Sequence, residues 1–339
     1  MATGTNTTTG AARIASRAAI TAIGSYVPEQ LITNADLERM VDTDNEWIVR
    51  RTGIVERRRA AENQFTSDMA IAAARDLFRR FPTSSQDVDA ILVATLSPDM
   101  PSPSVASRVQ LAIGAAQCLA LDLNAACAGF VSALQLANGL VMTEAYRKVL
   151  VIGAETLTKL TDYTDRSTCI LFGDGAGAVL VERSENGALL ASSAVTDGSG
   201  GFQVYATGLS AAGDGQPLHG AGKLVQNGKE VYKWALSTVP GGVVELLDAL
   251  GLSTGELDWF VPHSANLRMI EAICERFGLP ADKALHSVTQ YGNTSSASIP
   301  LALDIAYKEG KLVPGQLLVL YGFGSGLTQS GLALRWTIR

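Results

Sequence analysis

The chain has 339 residues, 47% of them hydrophobic and 18% charged, which at roughly 150 residues per domain gives about two domains or two halves and excludes a disordered or fibrous chain. A net charge of −6 argues against a general nucleic-acid binder, whose phosphate contacts need a basic face. No apolar run reaches the roughly 18 residues that a membrane helix requires, so a soluble protein is expected.

The Thr/Gly-rich start lacks a basic n-region and an apolar h-region, and reads as a disordered leader over residues 1–12. A cytoplasmic protein is expected. Apolar and β-branched runs then alternate with longer helical patterns, which argues a layered α/β fold. Strands are expected at Val88–Thr95, Leu119–Leu123, Val149–Gly153, Ala178–Glu182, Trp259–Pro262, Ala284–Val288, Leu317–Tyr321 and Leu332–Trp336. Their order repeats: DVDAILVAT (87–95) parallels ELDWFVPHSA (256–265), and LALDLNAACAGF (119–130) parallels ALHSVTQYGNTSSA (284–297). KVLVIGAE (148–155) likewise parallels QLLVLYGFG (316–324). The chain reads as a duplicated unit, with halves 13–185 and 186–339 and a long Gly/Ala/Ser-rich loop over 197–228.

Four cysteines, Cys118, Cys127, Cys169 and Cys274, include no Cys-x-x-Cys pair, so four free thiols are expected. The three histidines, His219, His263 and His286, have no ligand spacing to one another or to a cysteine, and no metal site is expected. Asn124-Ala125-Ala126-Cys127-Ala128-Gly129 carries a strand through a turn of small residues directly into a helix, the form of a nucleophile elbow. A thiol at that helix N-terminus would feel unpaired N–H groups that favour the thiolate. The alternative is a small core hydrophobe, the usual place of a free cysteine. His263 follows a strand end, where α/β sites gather, and Asn293 lies in a turn at the position parallel to Cys127 in the other half. A thiolate needs a proton partner and acyl transfer needs oxyanion donors, which His and Asn supply; alone, each is also an ordinary capping or turn residue. The tracts Gly173–Gly177 and Gly322–Gly326 each precede a strand instead of opening a helix, so a nucleotide-cofactor loop is excluded. Close backbone approach beside the site is expected of them.

Together NAACAGF (124–130), LFGDGAGA (171–178), VPHSANLR (261–268), QYGNTSSASIP (290–300) and GFGSGLT (322–328) resemble the β-ketoacyl-acyl-carrier-protein synthase III family of the thiolase superfamily, from about Ile20 to Arg339. The resemblance implies a five-layered αβαβα sandwich of two similar halves, working as a homodimer. It implies an acyltransferase in which an acyl-CoA primer acylates Cys127, and malonyl on acyl carrier protein then loses carbon dioxide and condenses with it to initiate fatty acid synthesis. His263 and Asn293 would stabilise the enolate, and the backbone N–H groups of Cys127 and Ser325 the acyl-enzyme oxyanion, with Phe323 beside the cysteine. Trp47 and Arg166 match the groups that flank adenine of CoA, Arg51 and Asn266 match channel and phosphate-side positions, and Arg268 matches a carrier-protein contact, with Arg57–Arg59 as a second candidate. The chemistry implies no cofactor beyond the CoA thioester substrate.

Two departures stand out. Ser264 follows His263 where many members have glutamine, and Ser102 falls where acetyl-restricted members often carry a bulky aromatic across the dimer interface. A small residue there implies a branched or longer primer. The alternatives are a specialised-metabolism relative that acylates another acceptor, and a non-catalytic partner subunit of a condensing heterodimer; the retained Cys127 argues against the latter. A cysteine hydrolase is disfavoured because no acidic residue evidently orients His263.

Overall fold

The computed structural model describes residues 10–210, 212–213 and 215–339. Ten strands form two five-stranded sheets: β1 (Ala12–Arg13), β2 (Ala18–Tyr26), β3 (Ala90–Ala94), β4 (Leu119–Leu123), β5 (Lys148–Thr156), β6 (Asp174–Arg183), β7 (Leu189–Thr196), β8 (Trp259–Pro262), β9 (Leu317–Gly324) and β10 (Thr328–Arg335). The first sheet runs β2-β6-β5-β3-β4 and the second β1-β7-β10-β9-β8. The seven longest helices are α1 (Asn45–Thr52), α2 (Thr66–Arg80), α3 (Val105–Ala112), α4 (Gly129–Met142), α5 (Gly228–Asp248), α6 (Leu267–Arg276) and α7 (Ser298–Lys308).

Helices α4 and α7 lie between the sheets, α2 covers the outer face of the first and α5 that of the second. The result is the five-layered αβαβα sandwich that the resemblance implied. Helix α4 earns its central place by being apolar nearly all round. Its one polar line is used: Ser132 meets Ser330 at 2.7 Å, and Gln135 donates to the Ser193 and Gly331 carbonyls at 2.9 Å. Backbone acceptors of β7 and β10 are thereby satisfied inside the core.

The duplication is visible in strand direction. In the first sheet β3 and β5 are parallel and β6 and β2 follow antiparallel; in the second β8 and β9 are parallel and β10 and β7 follow antiparallel. The strand expected at Ala284–Val288 is not formed. Only one parallel bridge, Ala284 to Phe260, stands where β4 stands in the first half, because the backbone turns helical at Ser287 and runs into the short helix Val288–Tyr291. At the other end of the chain, residues 1–9 lie outside the described residues. Ala12 of the expected leader pairs with Ser192 as part of β1, so the leader does not extend to residue 12.

Each half closes its first crossover with the same turn. Ala126 and Ser295 have φ of +45° and +47°, each opens a single 3-10 turn (Ala126–Ala128, Ser295–Ala297), and α4 or α7 follows at once. Two residues earlier an asparagine side chain accepts from the strained residue's N–H: Asn124 from Ala126 at 3.2 Å, Asn293 from Ser295 at 2.9 Å. The residue equivalent to Cys127 is therefore Ser296, and Asn293 corresponds to Asn124. The expected parallel between Asn293 and Cys127 is corrected accordingly, because the extra helical turn at Val288–Tyr291 defeats counting from the strand.

Candidate active site

One cleft of about 950 Å³ is lined by Cys127, His263, Asn293, Phe323 and Ser325, and further out by Trp47, Arg51, Arg166, Asn266 and Arg268. Of the residues singled out for a site, Ser102 and the Arg57–Arg59 run lie outside it. Ser102 is exposed, on the loop leading into α3.

Cys127 is half-buried on the cleft floor, at the start of α4. A side chain at Gly324 would put its Cβ 2.9 Å from Cys127 Cβ and 3.1 Å from Sγ, and one at Gly322 would meet Ala128 Cα at 2.7 Å. The second glycine tract thus supplies the close backbone approach expected of it. Burial pushes the thiol up to about 12. The Ser295 hydroxyl, buried without a well-formed hydrogen bond, pulls the other way, and the Glu155 carboxylate adds to the rise. The thiolate expected at this helix N-terminus is not favoured, because desolvation dominates.

His263 follows β8, and its N–H donates to the Tyr321 carbonyl at 2.8 Å. Its ring is 2% exposed and stacks edge-on to Phe323 with centroids 5.4 Å apart. Burial pushes the imidazole down to about 3, against the smaller pull of the Ser295 carbonyl, so the ring is neutral at ordinary pH. Nδ1 lies 2.8 Å from Ser298 Oγ, which also accepts from the Ser264 N–H at 3.2 Å and lies 2.7 Å from the Ser295 carbonyl. The contact with the Ser295 carbonyl takes the one Ser298 proton, so Nε2 carries the ring proton and donates when the Ser298 hydroxyl turns from that carbonyl to Nδ1. Ser264, the unusual neighbour, is buried and accepts from the Ser287 N–H at 3.0 Å. Asn293 Oδ1 is occupied by the Ser295 N–H, which leaves Nδ2 as the donor facing the cleft.

At the outer end, Arg166 lies over the Trp47 ring, 5.0 Å from its centroid, and donates to the Asp42 carbonyl at 2.9 Å. Asn266 caps α6 through the N–H groups of Arg268 and Met269, and its amide donates to the Arg51 carbonyl at 3.3 Å. Arg268 pairs with Glu271 at 2.8 Å and donates to the Arg50 and Val49 carbonyls at the end of α1. Arg57 is not available to a carrier protein. It is 1% exposed, donates to Asn34 Oδ1 at 2.6 Å and to the Ile170 carbonyl, and burial lowers its pKa to about 10. The period-two alternation of the strand Glu56–Arg59 points it inward. Glu155 and Ser298 were not singled out in the sequence; Ser298 meets His263, and Glu155 meets Ser296 on the turn that follows Asn293. Among the described residues no group of three His, Cys, Asp or Glu could hold a metal ion, and no helix is long and apolar enough to cross a membrane.

Comparison with known proteins gives the same direction. The family model described as 3-oxoacyl-[acyl-carrier-protein (ACP)] synthase III matches residues 121–198, and the model of that family's C-terminal part matches 247–336. "Beta-ketoacyl-[acyl-carrier-protein] synthase III 2" of Halalkalibacterium halodurans is 56% identical over 324 residues, covering 95% of this chain and 98% of the relative. The protein of the same name from Bacillus subtilis is 56% identical over 322 residues, covering 95% and 99%. The crystal structure of the β-ketoacyl-[acyl carrier protein] synthase III of Thermus thermophilus superposes with a TM-score of 0.90 at 43% identity, covering 94% of this chain and 99% of that one. With a thiolase-type sandwich, an elbow cysteine in its cleft and relatives of this closeness along nearly its whole length, the chain belongs to the β-ketoacyl-acyl-carrier-protein synthase III family of condensing acyltransferases.

Proposed function

We propose that this chain initiates fatty acid synthesis by condensing an acyl-CoA primer with malonyl-acyl carrier protein through an acyl-Cys127 intermediate. The observation that carries this reading is that Cys127, His263 and Asn293 line one cleft. In the first half-reaction the Cys127 sulfur bonds to the thioester carbonyl carbon, the thiol proton leaves, and CoA departs as its thiol. The Cys127 and Ser325 N–H groups hold the oxyanion. In the second, malonyl loses carbon dioxide, and the electron pair of the broken bond becomes the enolate, whose oxygen accepts from His263 Nε2–H and Asn293 Nδ2–H. Two neutral donors suit that task, because neither exchanges its proton on binding the charge. The enolate carbon then bonds to the acyl carbon, and the Cys127 sulfur leaves. Side chains and backbone donors carry this chemistry, with CoA as part of the substrate and no metal.

Trp47 and Arg166 are assigned to the adenine. Two stacked faces need about 3.5 Å each, so Arg166, now 5.0 Å from the indole centroid, must swing outward to admit the base. Its exposed position and its bond to the Asp42 carbonyl leave room for that movement. Arg51 and Asn266 line the channel, and Arg268 faces the carrier. The chain works as a homodimer in the cytoplasm: β4 has one unpaired edge among the described residues, and four free thiols suit a reducing compartment. Ser102 leaves space in the partner's acyl pocket for a branched or longer primer.

The test is intact-protein mass after brief incubation with equimolar acetyl-, isobutyryl-, isovaleryl- and octanoyl-CoA, beside Cys127→Ala. A single acyl adduct, absent in the variant and heavier than acetyl, is the expected result. No adduct from any thioester overturns the acyl-enzyme mechanism.

A further inference from the structure

Glu155 is the penultimate residue of β5, 0% exposed and in no ion pair among the described residues. Its carboxyl group is surrounded by donors. Thr95 Oγ1 lies at 3.1 Å, the Leu96 and Ser97 N–H groups at 3.2 Å, Ser97 Oγ at 2.5 Å and Ser296 Oγ at 2.9 Å. The first four come from residues 95–97, directly after β3. The last is the residue that takes the place of Cys127 in the second half, between Ser295 and Ser298. Ser295 fixes Asn293 through its N–H, and Ser298 meets His263 Nδ1.

We propose that Glu155 is a positioning residue of this site, whose buried carboxyl group ties the Asn293–Ser298 segment to the ends of β3 and β5 and whose charge sets how readily Cys127 ionises. The segment needs an anchor, because Ser295 is held at φ +47°, a conformation that persists only where its surroundings impose it. The Ser296 proton also has two claimants, Glu155 Oε1 at 2.9 Å and the Ala94 carbonyl at 2.8 Å. An ionised Glu155 takes that proton. A protonated Glu155 can donate to Ser296 Oγ instead and release the Ser296 proton to Ala94. The carboxyl group and the catalytic segment therefore change hydrogen bonding together.

The charges around it are few. On the turn above is Cys127. On β6, Asp174 turns away to the Ala60 and Thr158 N–H groups. On α2, Asp68 accepts from the Phe65 N–H, while Thr66, which contacts Ser97 and Thr156, is uncharged. Burial raises Glu155 to about 7, against the opposing pull of its hydroxyl and N–H donors, and its charge raises the Cys127 thiol. Ionisation of Glu155 through neutral pH thus makes the thiolate harder to form.

This inference rests on Cys127 being the nucleophile, yet its test does not need turnover. The rate of iodoacetamide alkylation at the Cys127 peptide is followed by mass from pH 5.5 to 9 in the wild type, Glu155→Gln and Glu155→Asp. Were only the thiol to titrate, the logarithm of the rate would rise with uniform slope. The wild type is expected to slacken through about pH 7, and Glu155→Gln to rise uniformly. The ratio of Gln-variant to wild-type rate would then grow on the order of tenfold from pH 5.5 to 9, one pKa unit of coupling. Glu155→Asp, which keeps the charge, restores the break. Parallel wild-type and Gln profiles overturn the proposal. If Glu155→Gln does not fold, a wild-type profile of uniform slope overturns it equally. Failure of the functional reading is separate: the wild type would then form no acyl adduct at all.

Discussion

At the residue scale, the site depends on donors whose orientation is fixed by partners outside the cleft. Asn293 illustrates this. Its Oδ1 is held by the Ser295 N–H at 2.9 Å, so Asn293→Asp keeps that bond and the shape while replacing the Nδ2 donor by an acceptor oxygen. The enolate would meet an acceptor, and a charge of its own sign, where it needs a proton. Malonyl decarboxylation should fall by about 10² to 10³ in kcat, the usual effect of losing one oxyanion donor. Acylation of Cys127 should persist, because its oxyanion is assigned to backbone N–H groups. Parallel assays of carbon dioxide release and acyl adduct mass separate the two steps. Equal loss in both would mean that Asn293 serves the nucleophile and not the enolate. His263 shares this design, with its ring neutral through burial and its Nδ1 set against Ser298 Oγ at 2.8 Å.

At the element scale, the elbow works because β9 passes it without a side chain. Gly324→Ala would place a methyl group 2.9 Å from Cys127 Cβ and 3.2 Å from its backbone nitrogen, where no flexible chain end can give way. Overpacking of this kind costs about 1–3 kcal/mol. The melting temperature should drop by several degrees, and the acyl adduct should form at least ~10-fold more slowly, since a 1 Å displacement is enough for such a loss. An unchanged acylation rate in calorimetry-verified folded protein would show that the turn can retreat. Strands such as Leu119–Leu123 and Trp259–Pro262 are legible in the sequence because their apolar runs are bounded by turn residues. Strands β2 and β7 escaped notice, because Ala, Ser and Gly interrupt their branched residues. The same limit hid Glu155, a carboxylate at a strand end that resembles any solvated residue until the Ser97 and Ser296 hydroxyls are seen around it. Arg57 lay within reach of alternation, but a run of three arginines reads first as an exposed face. Cys127, His263 and Asn293 were legible through their motifs; what brings them together, the two strained turns at Ala126 and Ser295, was not.

At the scale of the whole molecule, the open edge of β4 is the surface on which the proposed homodimer would form. Leu119 N donates to the Asp89 carbonyl, and the Leu123 carbonyl accepts from Thr95 N, so the odd-numbered residues of this parallel strand face β3. Ala120 and Asp122 therefore direct their backbone N–H and C=O groups to the free side. A second copy that pairs there would extend both first sheets into one. It would also bring its Ser102 loop near the neighbour's cleft, because the Asp122 carboxylate holds the Val105 and Ala106 N–H groups at 2.8 Å, directly after that loop. Ala120→Pro removes an edge donor without touching the β3–β4 ladder, and an edge strand is where proline is tolerated. The variant should keep its melting profile but sediment as a monomer, and it should lose discrimination among primers, because the wall that Ser102 contributes would be gone. If Ala120→Pro remains dimeric with unchanged primer ranking, the copies meet elsewhere. The size of Ser102 would then have no bearing on which acyl chain enters.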